Sequence, residues 1–451
     1  MEHHVQSVDD ALIGGLSYKL KAGASYVSER RSVSYFASGG NQYSSSGVRV
    51  MKFNISGDQW LDPSTFRVMF TLNNLTPTGT NCVQPLHWNP AIFFRRARII
   101  AGGQTIEDID DFNRLSLMFT ALKSQDDQKE IAMEGFGLFD LQYDITSQAG
   151  VVDGAVADAD NRKVYRARDF DEAGPVVTSR TVLFKPMFGL LAQEKLIPLR
   201  YCPLQIELEL VNNAADCMFV GNYNDFTCTD QWSVTDIQCK MDLLTLDSSL
   251  QNEYASHLLS GKSLPINFSS YNHTNQSTNG DKDFSAHIHR ALTRLKSVFV
   301  TLYRENSYAS AHPGTRKQCN DFYHPASNNQ YENLEWGQHQ VWIQVGSKLI
   351  PEYPIKDSTE AFYHLRKTVG HPINIFSRWY HTTKYIIGLD MEKISGAGFT
   401  GMNTKAGDLL SINFRDCADR GVAASIPHRV YCVLHYDAVI NIRDSGVELL
   451  D

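Results

Sequence analysis

The hydrophobic pattern repeats one order of elements in the two halves of the chain. In the first half, residues 98–106 (RIIAGGQTI) predict two short strands joined by a Gly-Gly turn. In the second half, residues 342–350 (WIQVGSKLI) predict the same hairpin. Few residues are identical between the two hairpins, so independent hairpins are an alternative, but the shared order of elements favours a repeat.

A helix is predicted after each hairpin. After the first hairpin, apolar residues recur at the spacing of one helix face: Leu115, Met118, Phe119 and Leu122. After the second hairpin, residues 357–360 (DSTE) resemble a capping box ahead of Phe362 and Leu365. Hairpin followed by helix is therefore predicted twice.

Strands with alternating apolar residues flank both hairpins. Before the hairpins the alternating positions are Phe66, Val68, Phe70 and Leu72 in the first half, and Val298, Val300 and Leu302 in the second. Residues 204–210 (LQIELEL) alternate strictly and are predicted to close the first half, as residues 430–442 close the second. Such alternation is typical of a sheet with one buried and one solvated face.

Length and composition favour two mostly β domains. The chain has 451 residues, of which 42% are hydrophobic, with 23 Phe and 20 Tyr. This length suits two domains that each bury a core, and aromatic enrichment favours strands. We predict an N-terminal arm at residues 1–28, a first β domain at 29–241 and a second at 242–451.

The sequence predicts a protein made in the cytosol, without disulfide bonds. Residues 1–6 (MEHHVQ) lack the basic start and the apolar core of a secretory signal, and no apolar run is long enough to cross a bilayer. The eight cysteines form neither a CxxC pair nor a zinc-ligand spacing. Buried, reduced thiols are expected.

Charge argues against direct nucleic-acid binding. The net charge is −8 and the basic residues are scattered, so no basic stripe is available for phosphate contacts. Residues 95–98 (RRAR) form the densest basic cluster, and their place beside the first hairpin favours an interface or a solvated strand edge.

Motifs for catalysis, cofactors or metals are incomplete. Residues 261–263 (GKS) match the end of a phosphate-binding loop, but Ser256 stands where that loop requires glycine. Residues 153–160 (DGAVADAD) could bind calcium, yet their order does not fit an EF-hand, and a solvated loop over 144–180 is favoured. Further long polar loops are predicted at 269–283 and 305–338. We predict no catalytic residue, no cofactor and no metal.

Three segments carry a resemblance to a known family. They are residues 31–36 (RSVSYF), 47–53 (GVRVMKF) and 97–119, the last comprising the first hairpin and helix. With the paired β domains, they resemble the double-jelly-roll major capsid proteins of double-stranded DNA viruses, nearest the polinton, polinton-like virus and virophage branch. The resemblance implies an all-β fold of two consecutive eight-stranded jelly rolls with short helices and long loops.

The resemblance also implies a role in assembly rather than catalysis. A major capsid protein of this family forms homotrimers with a pseudo-hexameric outline that tile an icosahedral shell. Its expected partners are neighbouring capsomers, penton proteins and minor capsid proteins, and its N-terminal arm can also contact an internal membrane. The protein is then expected in the virion capsid, made in the host cytoplasm and assembled in the cytoplasm or the nucleus.

A carbohydrate-active enzyme or glycan-binding protein built on a double jelly roll is the alternative function. Six tryptophans could supply stacking surfaces for sugars. The missing secretory signal disfavours this class, because most such enzymes are exported.

Candidate assembly residues lie in three regions of the sequence. They are Leu16 and Tyr18 in the arm, Arg95 and Arg96 in the basic cluster, and Tyr323, Tyr331 and Trp336 in the aromatic loop of the second domain. Trp342 could serve either the interface or the core. Contacts of this kind need neither a disulfide bond nor a metal ion.

Overall fold

The computed structural model describes most of the two predicted β domains. The described residues are 27–76, 81–136, 179–223, 226–278, 281, 283–304, 322, 324, 339–375, 377–381, 384–394, 399–405, 410–417 and 428–451. Nearly all of the predicted arm, and most of the predicted loops at 144–180 and 305–338, lie outside these residues.

The first half forms two packed antiparallel sheets. Its main strands are β1 (Val27–Phe36), β2 (Val50–Ile55), β3 (Trp60–Asn74), β4 (Phe94–Ala101), β5 (Gln104–Ile109), β6 (Ser179–Phe184), β7 (Leu204–Leu210) and β8 (Trp232–Leu246). One sheet has the order β1-β8-β3, with β6 and a short strand Ile197–Pro198 both on β3. The other sheet has the order β2-β7-β4-β5.

The second half repeats this arrangement. Its strands are β9 (Leu264–Ser277), β10 (Phe284–Ile288), β11 (Leu295–Arg304), β12 (Gln340–Val345), β13 (Lys348–Ile355), β14 (Ile387–Asp390), β15 (Leu410–Arg415), β16 (His428–Arg443) and β17 (Gly446–Leu450). The sheets have the orders β9-β16-β11-β14 and β10-β15-β12-β13, and β17 pairs with β16. In both halves the first strand pairs with the eighth and the second with the seventh, which is the jelly-roll topology.

Short elements complete the fold. The helices are α1 (Phe112–Leu122), α2 (Gln125–Glu134), α3 (Ser248–Leu259), α4 (Ser358–Val369) and α5 (Ser377–Tyr380), with 3-10 turns at Pro90–Phe93 and Ala214–Asp216. The short strands are Gln42–Tyr43, Asn81–Cys82, Gln84–Pro85, Met218–Phe219, Gly221–Tyr223 and Phe226–Cys228. None of the helices in the described part of the chain has both the length and the apolar character needed to span a membrane.

Both predicted hairpins are confirmed, and glycine makes their turns. Gly102 and Gly103 have φ angles of 56° and 85° between β4 and β5, and Gly346 has a φ of 59° between β12 and β13. Residues that carry a side chain rarely adopt this left-handed backbone conformation, so glycine at these positions fixes where each hairpin turns.

Both predicted helices are confirmed, with different N-termini. At α4, the Asp357 side chain accepts a hydrogen bond from the backbone N–H of Glu360, and the Glu360 side chain accepts one from the backbone N–H of Lys356. This is a capping box shifted by one residue. At α1, Asp111 occupies the N-cap in a left-handed conformation, without a capping bond from its side chain.

Two sequence predictions need correction. Residues 204–210 form β7, but β8 closes the first half; left-handed Asp236 and register shifts along β8 obscure its alternation. Residues 269–277, predicted as part of a polar loop, continue strand β9. Ser270, His273 and Asn275 contact Glu107 and Asp111 across the boundary between the jelly rolls, and polar residues there replace the usual apolar alternation of a strand.

One continuous hydrophobic core runs through both jelly rolls. The predicted boundary at residue 242 falls within β8, where Asp242 pairs with Ser32 and Leu246 with Val27. Pairing in β8 therefore keeps residues 242–246 in the first jelly roll. We propose that the division lies after Leu246, at helix α3.

Candidate functional site

The two jelly rolls meet along one surface of each. Strand β5, helix α1 and the Gly189–Leu190 loop of the first jelly roll pack against β9, β11 and β16 of the second, and we call this contact the seam. It fixes how the two sandwiches stand beside each other. Its chemistry therefore decides whether the chain behaves as one building unit.

Glu107 is the buried polar centre of the seam. One of its carboxylate oxygens, Oε1, accepts hydrogen bonds from the Gly189 N–H at 3.0 Å and the Ser270 hydroxyl at 2.6 Å. The other oxygen, Oε2, accepts one from the Leu190 N–H at 2.9 Å. Ser270 belongs to β9, so a single carboxylate joins the two jelly rolls.

Burial governs the ionisation of Glu107. The residue is only 2% exposed. Its desolvation raises the pKa of the carboxyl group above the ordinary value, although the three hydrogen bonds act in the opposite direction. Keeping the Glu107 carboxylate charged therefore costs solvation free energy, and the three hydrogen-bond donors offset part of this cost.

Asp111 forms a second polar contact across the seam. Its carboxylate lies 3.6 Å from His273 Nε2 and accepts a hydrogen bond from Asn275 Nδ2 at 3.1 Å. Asn275 Oδ1 in turn accepts a bond from Arg429 at 3.0 Å. Burial alone would raise the pKa of Asp111, but the hydrogen bond and charge of His273, the charge of Arg114 and the Asn275 bond together lower it.

Asp111→Asn should destabilise the protein at neutral pH by about 1–2 kcal/mol, because it removes a charge-assisted contact of a mostly buried carboxylate. Because the pKa of Asp111 is lower in the folded protein than the unfolded value of 3.8, its ionised carboxylate stabilises the folded state above pH 3.8. This stabilisation is lost as the pH falls through the folded-state pKa. Denaturant unfolding of both proteins over a pH series should show their difference shrinking in acid. Asp126→Asn is the control, because the Asp126 side chain is 90% exposed; a pH-independent difference would contradict this role of Asp111.

Aromatic rings fill the rest of the seam. Phe119 of α1 packs between Tyr271 and Phe299, with ring centroids 4.9 and 5.0 Å away. The Arg114 guanidinium lies 4.0 Å from the centroid of the Tyr303 ring, a cation–π geometry. Helix α1 of the first jelly roll thus packs onto the outer face of a sheet of the second.

Backbone approaches backbone at Gly189. A Cβ atom at this position would lie 1.9 Å from the Ser269 carbonyl oxygen and 2.7 Å from its carbonyl carbon. Only glycine permits this approach, because the neighbouring atoms belong to main chain and cannot rotate away. The seam therefore leaves no space for even one methyl group here.

Arg95 and Arg96 lie together on the outer face of the sheet β2-β7-β4-β5. Glu209 lies opposite Arg96 and Leu210 opposite Phe94, so Arg95 is the extra residue of a β-bulge that turns both arginines outward. Arg96 pairs with Asp108 at 2.6 Å, and Arg95 with Asp110 at 3.1 Å. Carboxylates on β5 and directly after it thus bind both side chains, and a role in assembly stays a prediction.

The remaining predicted assembly residues are outside the described part of the chain: Leu16, Tyr18, Tyr323, Tyr331 and Trp336. Trp342 is half-buried on β12, beside the Arg415 guanidinium at 5.2 Å. The sequence pattern does not single out Glu107, Asp111 or Gly189. For Glu107, the one available signal was its charged side chain directly after Ile106 in a predicted strand.

The described part of the seam contains no cluster of metal ligands. Among the described residues, no group of three or more His, Cys, Asp and Glu side chains is arranged to hold a metal ion. Cys202, Cys217, Cys239 and Cys432 are free and buried, and Cys417 is free and half-buried. Burial raises the pKa of the Cys202 thiol to about 12, which keeps it protonated and unreactive.

Comparison with known proteins relates the chain to viral capsid proteins through its fold. No protein-family model and no curated protein matches the sequence. Among solved structures, PBCV-1 VP54 fitted into a reconstruction of the virophage Sputnik is 12% identical, with a TM-score of 0.62 over 95% of this chain and 98% of that chain.

Two further structures agree. The Sputnik virophage structure is 9% identical, with a TM-score of 0.61 over 95% of this chain and 89% of that chain. The Faustovirus major capsid protein is 9% identical, with a TM-score of 0.55 over 92% of this chain and 90% of that chain. Identities this low establish a shared fold, and the predicted double jelly roll is confirmed.

Proposed function

We propose that this protein is a major capsid protein that self-assembles into trimers and tiles an icosahedral viral shell. The observation that carries the proposal is the double jelly roll itself, which matches VP54 over 95% of this chain and 98% of that chain. The likeness therefore covers the complete two-domain unit rather than a single sandwich.

The seam supports a building unit rather than an enzyme. Two jelly rolls joined by buried hydrogen bonds and aromatic contacts give one subunit two similar edges. Three such subunits would present six edges, as a hexagonal position in a shell requires. No contact of the described residues favours the alternative of a glycan-binding protein or carbohydrate-active enzyme.

The proposal also covers the partners and the location of the protein. The trimers contact neighbouring capsomers, penton proteins and minor capsid proteins, and the N-terminal arm predicted at residues 1–28 contacts a neighbour or an internal membrane. Neither a cofactor nor sequence-specific nucleic-acid binding is part of the function. The protein is then located in the virion capsid, after synthesis in the host cytoplasm and assembly there or in the nucleus.

The purified chain should sediment as a trimer, with hexagonal outlines in negative-stain images. Because closed rings are the common form of head-to-tail association, a discrete size is expected rather than fibres. Sedimentation velocity should give the same mass with reductant or chelator added. A monomer under every condition would overturn the capsid proposal, and dissociation by chelator alone would point to a metal ion in the acidic segment 153–160.

A further inference from the structure

Three histidines of the second jelly roll lie close together, outside the polar contacts of the seam. The centroid of the His324 ring lies 5.1 Å from that of His339 and 6.3 Å from that of His381. Tyr385 lies beside them, with its ring centroid 4.5 Å from that of His324. We call His324, His339 and His381 the histidine cluster.

Hydrogen bonds join the histidine cluster to one helix and to the chain before two strands. His324 Nε2 shares a hydrogen bond of 2.7 Å with the hydroxyl of Ser358, the first residue of α4. His339, directly before β12, shares a hydrogen bond through Nε2 with the hydroxyl of Tyr385, which lies shortly before β14. The packing of α4 beside these strands therefore depends on the rings of the cluster.

Burial keeps the cluster in its neutral form. His324 is 4% exposed and His339 is not exposed, whereas His381 is half-buried. Burial, followed by the charges of His339 and His381, lowers the pKa of His324 well below the ordinary value of 6.5. The unfolded chain then binds this proton more tightly than the folded protein, so stability falls as the pH drops below 6.5 towards the folded-state pKa.

The titratable groups described around the cluster are neutral or positive, apart from two carboxylates of α4. Burial raises the pKa values of Tyr380, Tyr385 and Cys417, so these groups stay uncharged near neutral pH. Lys384, directly before Tyr385, is a further cation. These four groups therefore cannot neutralise a protonated imidazole.

The two carboxylates, Asp357 and Glu360, bind backbone groups at the N-terminus of α4. Asp357 accepts a hydrogen bond from the Glu360 N–H at 2.8 Å, and Glu360 accepts one from the Lys356 N–H at 2.9 Å. A protonated His324 bound to Ser358 would lie beside the positive end of the helix dipole, which disfavours a cation. Protonation therefore weakens the contact between His324 and α4.

Phe322 connects this part of the second jelly roll to the seam. Its carbonyl accepts a hydrogen bond from the Tyr385 N–H at 2.8 Å, and its side chain is not exposed. The centroid of its ring lies 5.7 Å from the guanidinium of Arg114, on helix α1 of the first jelly roll. His324 follows Phe322 by two residues, so a displacement of one also moves the other.

We propose that the histidine cluster is an acid-sensitive latch on the seam: below ~pH 6, protonation detaches His324 from α4, withdraws Phe322 from Arg114 and loosens the contact between the jelly rolls. His324 would then have two other cations within 6.3 Å of its ring in a buried site, where like charges repel strongly. The latch goes beyond the capsid proposal and does not depend on it, because all of its residues belong to one chain.

Hydrogen exchange followed by mass spectrometry tests the latch, with rates corrected for the chemical effect of pH. Between ~pH 7 and ~pH 5, the wild-type protection of α4 and of α1 should fall at least ~10-fold, because local opening exposes the backbone of both helices. In His324→Gln it should fall less than ~3-fold, since the amide stays neutral and can still bond to Ser358. An equal fall in this variant, or wild-type protection of α1 that does not change, overturns the proposal.

Two further variants separate the latch from a general effect of acid. His289→Gln is the matched control, because this histidine is exposed and lies outside the cluster, and it should respond as the wild type does. His381→Gln removes one of the cations beside His324 and should reduce the acid-dependent loss of protection at least ~2-fold. It also serves as the test if His324→Gln fails to fold. A full wild-type response in His381→Gln, or a reduced response in His289→Gln, overturns the assignment to the cluster.

Discussion

Glu107→Ala should lower the free energy of unfolding by about 3–5 kcal/mol, because it leaves the N–H groups of Gly189 and Leu190 and the Ser270 hydroxyl without their acceptor. Each buried donor that loses its partner costs about 1–3 kcal/mol. Urea unfolding followed by circular dichroism measures the change. Glu107→Gln should lose less, since an amide oxygen can still accept from some of these donors.

The matched control for Glu107 is Glu448→Ala. Glu448 is 49% exposed and pairs with Arg443 at 3.0 Å, so its removal should cost less than about 1 kcal/mol. Equal stability of Glu107→Ala and the wild type would show that the seam does not depend on this carboxylate.

The pH dependence of Glu107 should have the opposite sign to that of Asp111. Its pKa is raised in the folded state, so the folded protein binds the proton more tightly than the unfolded chain does. Stability contributed by this group therefore falls as the pH rises from the ordinary value of 4.5 through the raised folded value. Glu107→Gln should remove this part of the pH profile, and an unchanged profile would contradict the buried, desolvated carboxyl group.

Gly189→Ala should destabilise the protein by about 3 kcal/mol or more, or separate the jelly rolls. The added methyl group would overlap the Ser269 carbonyl at 1.9 Å, and main-chain atoms can yield only if the seam opens. Denaturant unfolding measures the loss of stability, and small-angle scattering detects an opened pair of sandwiches.

Gly40→Ala is the matched control for Gly189, because a Cβ atom at Gly40 meets no atom within 4 Å. It should be nearly neutral. If Gly189→Ala is as stable and as compact as this control, the backbones at Gly189 and Ser269 lie farther apart than the 1.9 Å between an added Cβ atom and the Ser269 carbonyl oxygen requires.

Local sequence determined the elements of each sandwich. The glycines at 102, 103 and 346 placed both hairpin turns, since their positive φ angles exclude most other residues. The strict alternation of residues 204–210 predicted β7, because a strand between core and solvent has a period of two. These signals are local and can be read without knowing any contact between distant residues.

Tertiary structure alone decided how the sandwiches join. Residues 269–277 look like a loop because they are polar, yet they form β9, with Ser270 and Asn275 bound to Glu107 and Asp111 of the other jelly roll. A polar side chain whose partner lies more than 160 residues away leaves no period in the sequence. The pattern of apolar residues identifies the side chains that face a strand's own core, whereas hydrogen bonds between the jelly rolls depend on where folding brings the two sandwiches together.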